Sequence, residues 1–240
     1  MSLTERLLRP YQPARPLVTH YDDATGSRVE LSAATLRNWA AKTANWLVDE
    51  YDVEPGTRVA VSLPAHWQTA GILLGAWWCG AQVVTDPAGA TVAFVPPAGS
   101  AAGAEIVAAV SLDPMGRDFG SAVPGGTVDY IAEARVHGDD FLALATVSGS
   151  TPCLEGSTLD AVLDEARARA GTKELTGESR VLSTVEWKTA EGIMEGFLSV
   201  LAAGASLVQV SNPVAESLAK HARTERTTFQ QFDPGPALPA

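Results

Sequence analysis

Cysteine, histidine and basic charge are all scarce in this sequence. Of 240 residues only two are cysteine, Cys79 and Cys153, and four are histidine. Two cysteines in a chain this long make no disulfide framework, and no C-x-x-C pair or His/Cys cluster carries zinc-ligand spacing. Charged residues amount to 19%, too few for a long disordered polyampholyte. The basic side is the poorer one: 17 Lys and Arg stand against 28 Asp and Glu, a net charge of −11. No run of Lys or Arg offsets that balance locally, so a nucleic-acid backbone and an anionic membrane surface are excluded as partners. Long hydrophobic runs are missing too. The most apolar stretch, 69–84, is interrupted by Gly and Gln and is too short to span a bilayer. The first ten residues carry Glu5, Arg6 and Arg9 where a signal peptide would be apolar. Together these absences lead to the expectation of a cytoplasmic protein with no membrane segment and no structural metal.

What is present is a hydrophobic content of 46%, enough for a sizeable core. Ser2 followed by Glu5 predicts a capping box and a short helix that Pro10 ends. Strands are predicted at 17–21 and 28–31, joined by the turn-rich stretch 22–26. Ser32 caps a helix whose Leu36, Trp39, Ala40, Thr43 and Leu47 keep i, i+3, i+4, i+7 spacing. A strand at 58–63 leads to a helix over 66–80 that is apolar nearly all round, which predicts burial on more than one face. Strands follow at 82–85 and 91–95, a short helix at 130–135 and a strand at 142–147. Then come a helix around 159–166, a strand at 181–185, a helix from Ile193 to Gly204, a strand at 207–210, a helix from Val214 and a last strand within 227–232. Helix and strand alternate, which predicts an α/β fold of mostly parallel sheets flanked by helices. The irregular stretch 96–126 reads as a junction between a first α/β subdomain, 1–95, and a second, 127–233, with a tail at 234–240; one integrated domain is the alternative.

Three segments carry a family resemblance. Leu31-Ser32-Ala33-Ala34-Thr35-Leu36, Ala44-Asn45-Trp46-Leu47 and Pro55-Gly56-Thr57-Arg58-Val59-Ala60 form the first. Gly75-Ala76-Trp77-Trp78-Cys79-Gly80-Ala81-Gln82-Val83-Val84 with Asp86-Pro87 forms the second. The third lies within 177–210, with Arg180-Val181-Leu182-Ser183-Thr184, Phe197 and Leu201-Ala202-Ala203-Gly204-Ala205-Ser206-Leu207-Val208. In this order they resemble the front half of the N-terminal domain in the adenylate-forming, acyl-CoA synthetase-like superfamily. The resemblance implies a loop for ATP phosphates of the pattern T-S-G-[ST]-T-G-x-P-K-G, and the matching stretch is 147–156. Ser148, Gly149, Ser150, Thr151 and Gly156 fit the pattern, whereas Pro152 replaces a Gly, Leu154 a Pro and Glu155 the Lys. A phosphate cradle works through backbone N–H groups and a cation. Pro152 has no N–H, and Glu155 reverses the charge. At about 4 Å and an effective dielectric of about 20, two unit charges interact by roughly 4 kcal/mol, here with the wrong sign for ATP.

The resemblance also implies that the family's adenine/magnesium motif, ribose-binding Asp and lid Lys lie beyond the end of this sequence, with none matched by Asp233 or the tail. The expectation is therefore a truncated relative without adenylation activity, acting as a binding or regulatory module with no catalytic residue and no required cofactor. The alternative is a ligase-related enzyme that binds ATP, AMP or CoA and is completed by a partner chain or a second copy. Ser148, Gly149, Ser150, Thr151 and Gly156 are the candidate phosphate or nucleotide contacts; a plain strand-ending turn is the other reading. Trp187, with Glu186, Glu191 and Glu195 near it, is the candidate pocket residue, or else a loop residue covering the sheet edge. Cys79 is expected in the core, and Cys153 is expected to be silent unless exposed. His20, His66, His137 and His221 share no metal spacing. No G-x-S-x-G elbow supports a serine hydrolase and no strand-following G-x-G-x-x-G a dinucleotide fold. Surface left bare by a missing half predicts a homodimer, pairing through the last strand at 227–232.

Overall fold

The computed structural model describes residues 1–232; the expected tail, 234–240, lies outside them. Twelve strands form two sheets among these residues. Strands β1 (Pro16–Asp22) and β2 (Ser27–Ser32) make a hairpin that joins β10 (Arg180–Ser183), β11 (Ser206–Ser211) and β12 (Phe229–Gln231). The order in this first sheet is β12-β10-β11-β1-β2, parallel except for β1–β2. The second sheet holds β3 (Arg58–Val61), β4 (Gln82–Val84), β5 (Val92–Val95), β6 (Ile106–Ala109), β7 (Val128–Asp129), β8 (Pro152–Leu154) and β9 (Ser157–Thr158). Its order is β7-β6-β5-β3-β4-β8-β9, parallel except for β8–β9.

Local chemistry starts and stops the helices as the sequence predicts. Helix α1 (Leu3–Leu8) opens on the reciprocal box, with Ser2 N donating to Glu5 Oε2 at 2.7 Å and Glu5 N to Ser2 Oγ at 3.3 Å. Helix α2 (Ala33–Tyr51) is capped by Ser32, whose Oγ accepts from Thr35 N. Helix α3 (Trp67–Cys79) is capped by His66 and ended by Gly80 at φ 87°. All 13 residues of α3 are buried, because it lies between the sheets, touching β1 on one side and β3 and β4 on the other. The remaining helices are α4 (Tyr130–Ala134), α5 (Leu159–Thr172), α6 (190–202) and α7 (Ala215–Glu225). Within α6 the turn Met194–Leu198 widens to π-helix.

Long-range pairing and competition for sheet positions shape the rest. Each sheet gathers distant parts of the chain: the first combines residues 16–32 with 180–231, and the stretch 96–126 holds β6, hydrogen-bonded beside β5 with Val92 opposite Ile106. The N-terminal hairpin can close against β11 because parallel pairing places Val18 opposite Leu207 through Asp22 opposite Ser211. The strand predicted at 142–147 does not form. The place beside β4 is taken by β8, which leaves Leu142 and Leu144 at 82% and 90% exposure and only Val147 buried.

Candidate functional site

The stretch 147–156 folds as a turn followed by a β-hairpin. Thr151 N donates to Ser148 O at 3.1 Å and Ser148 N to Thr151 Oγ1 at 3.1 Å, while the hydroxyls of Ser148 and Ser150 lie 2.9 Å apart and Ser150 N donates to Ser148 Oγ at 3.2 Å. The donors that would meet a phosphate are therefore turned on their own loop. Asp160, at the start of α5, lies over Gly149 so closely that a Cβ there would sit 2.0 Å from its carboxylate. That carboxylate pairs with Arg6 at 2.6 Å. Glu155 and Gly156, at φ 46° and 84°, form the two-residue turn between β8 and β9 with the positive φ pair of a type I′ hairpin. Glu155 Oε1 accepts from Thr85 N at 2.6 Å and Thr85 Oγ1 at 2.7 Å, and Glu155 N donates to Val83 O at 3.0 Å. The residue that replaces the family Lys thus pins the hairpin to the end of β4. With two carboxylates around the turn, a proline inside it and its hydroxyls mutually bonded, these residues do not fit a triphosphate.

Trp187 is packed into the core. It is fully buried against Phe197, ring centroids 4.7 Å apart, and Gly196 makes room for it: a Cβ there would lie 2.8 Å from Trp187 Nε1. Its neighbours Glu186 and Lys188 face the cavities instead. Cys79 and Cys153 are both buried, and burial pushes each thiol up to about 12. For Cys153 burial is the cause, in keeping with a silent thiol.

A polar cleft of about 270 Å³ opens at the carboxyl ends of the strands, where open α/β sheets hold their ligands. β1 contributes His20 and Asp22, the turn after β3 Pro64 and His66, the turn after β10 Glu186 and Lys188, and β11 Ser211. His20 and His66, 46 positions apart by number, stack edge to face with centroids 4.4 Å apart. His66 Nδ1 accepts the α3 N-terminal donor, Gln68 N, at 3.1 Å, and Gln68 in turn holds the opposite wall, accepting from Leu112 N at 3.0 Å and donating to Asp113 O at 3.1 Å. Leu112 pays for that position with φ 55°, rare for a leucine. Burial drives His20 down to about 4, against the opposing pull of Asp22, and burial together with the charge on His20 drives His66 to about 2. Asp22 is held below the usual carboxylate range: burial works the other way, but hydrogen bonds from Asn212, Ala24 and Thr25 outweigh it. Behind the cleft a buried polar row crosses the first sheet, His20 opposite Gln209, Gln209 opposite Ser183, Ser183 opposite Gln231. Gln231 accepts from Lys173 Nζ at 2.8 Å. Among the described residues no group of three or more His, Cys, Asp or Glu is placed to hold a metal ion, and no helix is long and apolar enough to cross a membrane.

Geometry of this kind has relatives. A protein of Mycobacterium tuberculosis described as a TIGR03089 family protein is 45% identical over 225 residues, covering 90% of this chain and 91% of its own length. The chain belongs to the TIGR03089 family. No family model matches it. The fold of this TIGR03089 protein is that of acyl-CoA synthetases. It superposes on an acyl-CoA synthetase of Brucella canis with a TM-score of 0.81 at 18% identity, covering 98% of this chain and 47% of that one. An acetoacetyl-CoA synthetase of Streptomyces lividans gives 0.77 at 16% identity, covering 97% and 42%. The anthranilate CoA ligase AuaEII, solved with anthranoyl-AMP, gives 0.76 at 14%, covering 96% and 49%. The TIGR03089 chain spans about half the length of these ligases, as the resemblance to an N-terminal-domain front half implied.

Sequence reading of this TIGR03089 chain missed His20, His66, Ser211 and Gln209 as one group. The signal was there in part. The runs Pro16–Asp22 and Ser206–Ser211 are buried strands, each broken by a single large polar residue, His20 and Gln209. A polar residue inside a buried strand needs a partner, but nothing in the sequence aligns β1 with β11 across almost the whole chain.

Proposed function

We propose that this chain is an acyl-CoA synthetase-like module that has no adenylation chemistry and works by binding. The observation that carries the proposal is Glu155. It stands where the family pattern has its cation, and its carboxylate is spent on Thr85 in a closed hairpin. The Asp160 carboxylate over Gly149 supports it independently. ATP, AMP and CoA are not required by a protein of this kind. It acts as a homodimer paired through β12, which is an edge strand of the first sheet, with Phe232 beside it 48% exposed.

ATP–pyrophosphate exchange over a panel of carboxylic acids tests the central point. No exchange above background is expected from the purified chain. Glu155→Lys is expected to give none either, because Pro152 and Asp160 remain. Robust exchange by the unaltered chain sinks the proposal.

A further inference from the structure

Two residues that line the cleft at the strand ends, His20 and Glu186, each carry a buried acceptor that makes no hydrogen bond. Ser211 Oγ donates to Ala65 O at 2.8 Å, so it accepts from His20 Nε2 at 2.9 Å. The proton of neutral His20 is thereby assigned to Nε2, which leaves Nδ1 a bare lone pair. It is buried and has no hydrogen-bond partner among the described residues. Glu186 Oε2 is the second. It too is buried without a hydrogen bond, and the ammonium of Lys188 stands off at 3.6 Å. Buried acceptors left unpaired are costly, and their occurrence on two residues lining one cleft calls for a donor.

The charges around the cleft agree on the sign of that donor. Asp22 and Glu186 carry two negative charges against one positive on Lys188, and His20 and His66 are held neutral by burial. Both Asp22 oxygens are already taken, one by Asn212 and Ala24, the other by Thr25. Glu186 is the carboxylate of the cleft that accepts no hydrogen bond at Oε2; its one charged neighbour there is Lys188 at 3.6 Å, and its side chain is 33% exposed. Pro64, Leu112 and Pro114 supply an apolar side. The volume lies just below the range of drug-sized pockets, about 300–1,000 Å³.

We propose that this cleft binds a small protonated amine, whose N–H groups donate to Glu186 Oε2 and His20 Nδ1 while its carbon body lies against Pro64, Leu112 and Pro114. A carboxylate would meet Glu186 and one exposed lysine. The proposal builds on the reading of the chain as a binding module. The two fail separately, since pyrophosphate exchange bears on the 147–156 loop and the cleft shares no residue with it.

The test is a titration of the whole chain, followed by nitrogen–proton correlation of the histidine rings near neutral pH. Benzylammonium and butylammonium are compared with benzoate and butyrate of matching size. Saturable binding of the ammonium probes is expected, with movement of the His20 ring nitrogens. Glu186→Gln, which keeps the shape and removes the charge, is expected to weaken binding by about tenfold, and Lys188→Met to strengthen it by removing the competing cation. The proposal is overturned if neither ammonium probe saturates at millimolar concentration, if the carboxylates bind in preference, or if Glu186→Gln binds like the unaltered chain.

Discussion

Acid should unfold this protein through its two buried histidines well before its carboxylates titrate. His20 and His66 have an ordinary value of 6.5 in the unfolded chain and about 4 and about 2 in the folded one. Both folded values are depressed, so the unfolded state binds the protons, and stability present above pH 6.5 is lost as pH falls. At pH 5 each group is still neutral in the fold and lies 1.5 pH units below its unfolded value. At about 1.4 kcal/mol per unit this costs about 2 kcal/mol each, about 4 kcal/mol together between pH 7 and pH 5. That is a large part of the roughly 5–15 kcal/mol a domain has to lose. His66→Asn isolates half of it, because asparagine is also a preferred N-cap and can accept from Gln68 N. Urea unfolding at fixed pH values measures the effect. The unaltered chain should lose about 4 kcal/mol between pH 7 and pH 5, and His66→Asn about 2. Comparing the two chains cancels His137 and His221, which face Asp49, Glu50 and Asp23 instead. Parallel curves for the two proteins would refute the reasoning.

Other outcomes follow from named contacts. Glu225 accepts from Tyr21 Oη at 2.6 Å, from Arg28 Nε at 2.9 Å and from Arg180, tying α7 to the first sheet. Burial would raise its carboxyl, yet hydrogen bonds from Arg28, Tyr21 and Arg180 hold it at about 2. Glu225→Gln should cost about 3 kcal/mol near neutrality, and should flatten the loss of stability that the unaltered chain shows as pH falls from the ordinary 4.5 towards 2; denaturant unfolding at several pH values reads both. Light scattering at micromolar concentration should give the mass of a dimer, and Lys at Phe232 should shift it towards monomer; a monomeric unaltered chain contradicts the β12 pairing.

Much of the local structure is written in the sequence. The Ser2–Glu5 box, the Ser32 cap, the all-round apolar helix over 66–80 and the alternation of helix and strand each depend on neighbours within a few residues, and each is found. The three ordered segments of the resemblance likewise named the fold. Glu155 and Pro152 were visible as departures, but only the fold shows that Glu155 is bonded to Thr85 and that Asp160 lies over Gly149, since these pairs meet across strands. The strand expected at 142–147 failed for a related reason: alternation makes a segment able to pair, and the free sheet edge decides whether it does. The cleft is tertiary altogether. Its walls come from β1, the turns after β3 and β10, and β11, and its histidines hold depressed protonation only because the two sheets close around them. Sequence chose the elements through short-range periodicity and capping; the long-range register of β1 on β11 put the polar groups together and removed the water around them.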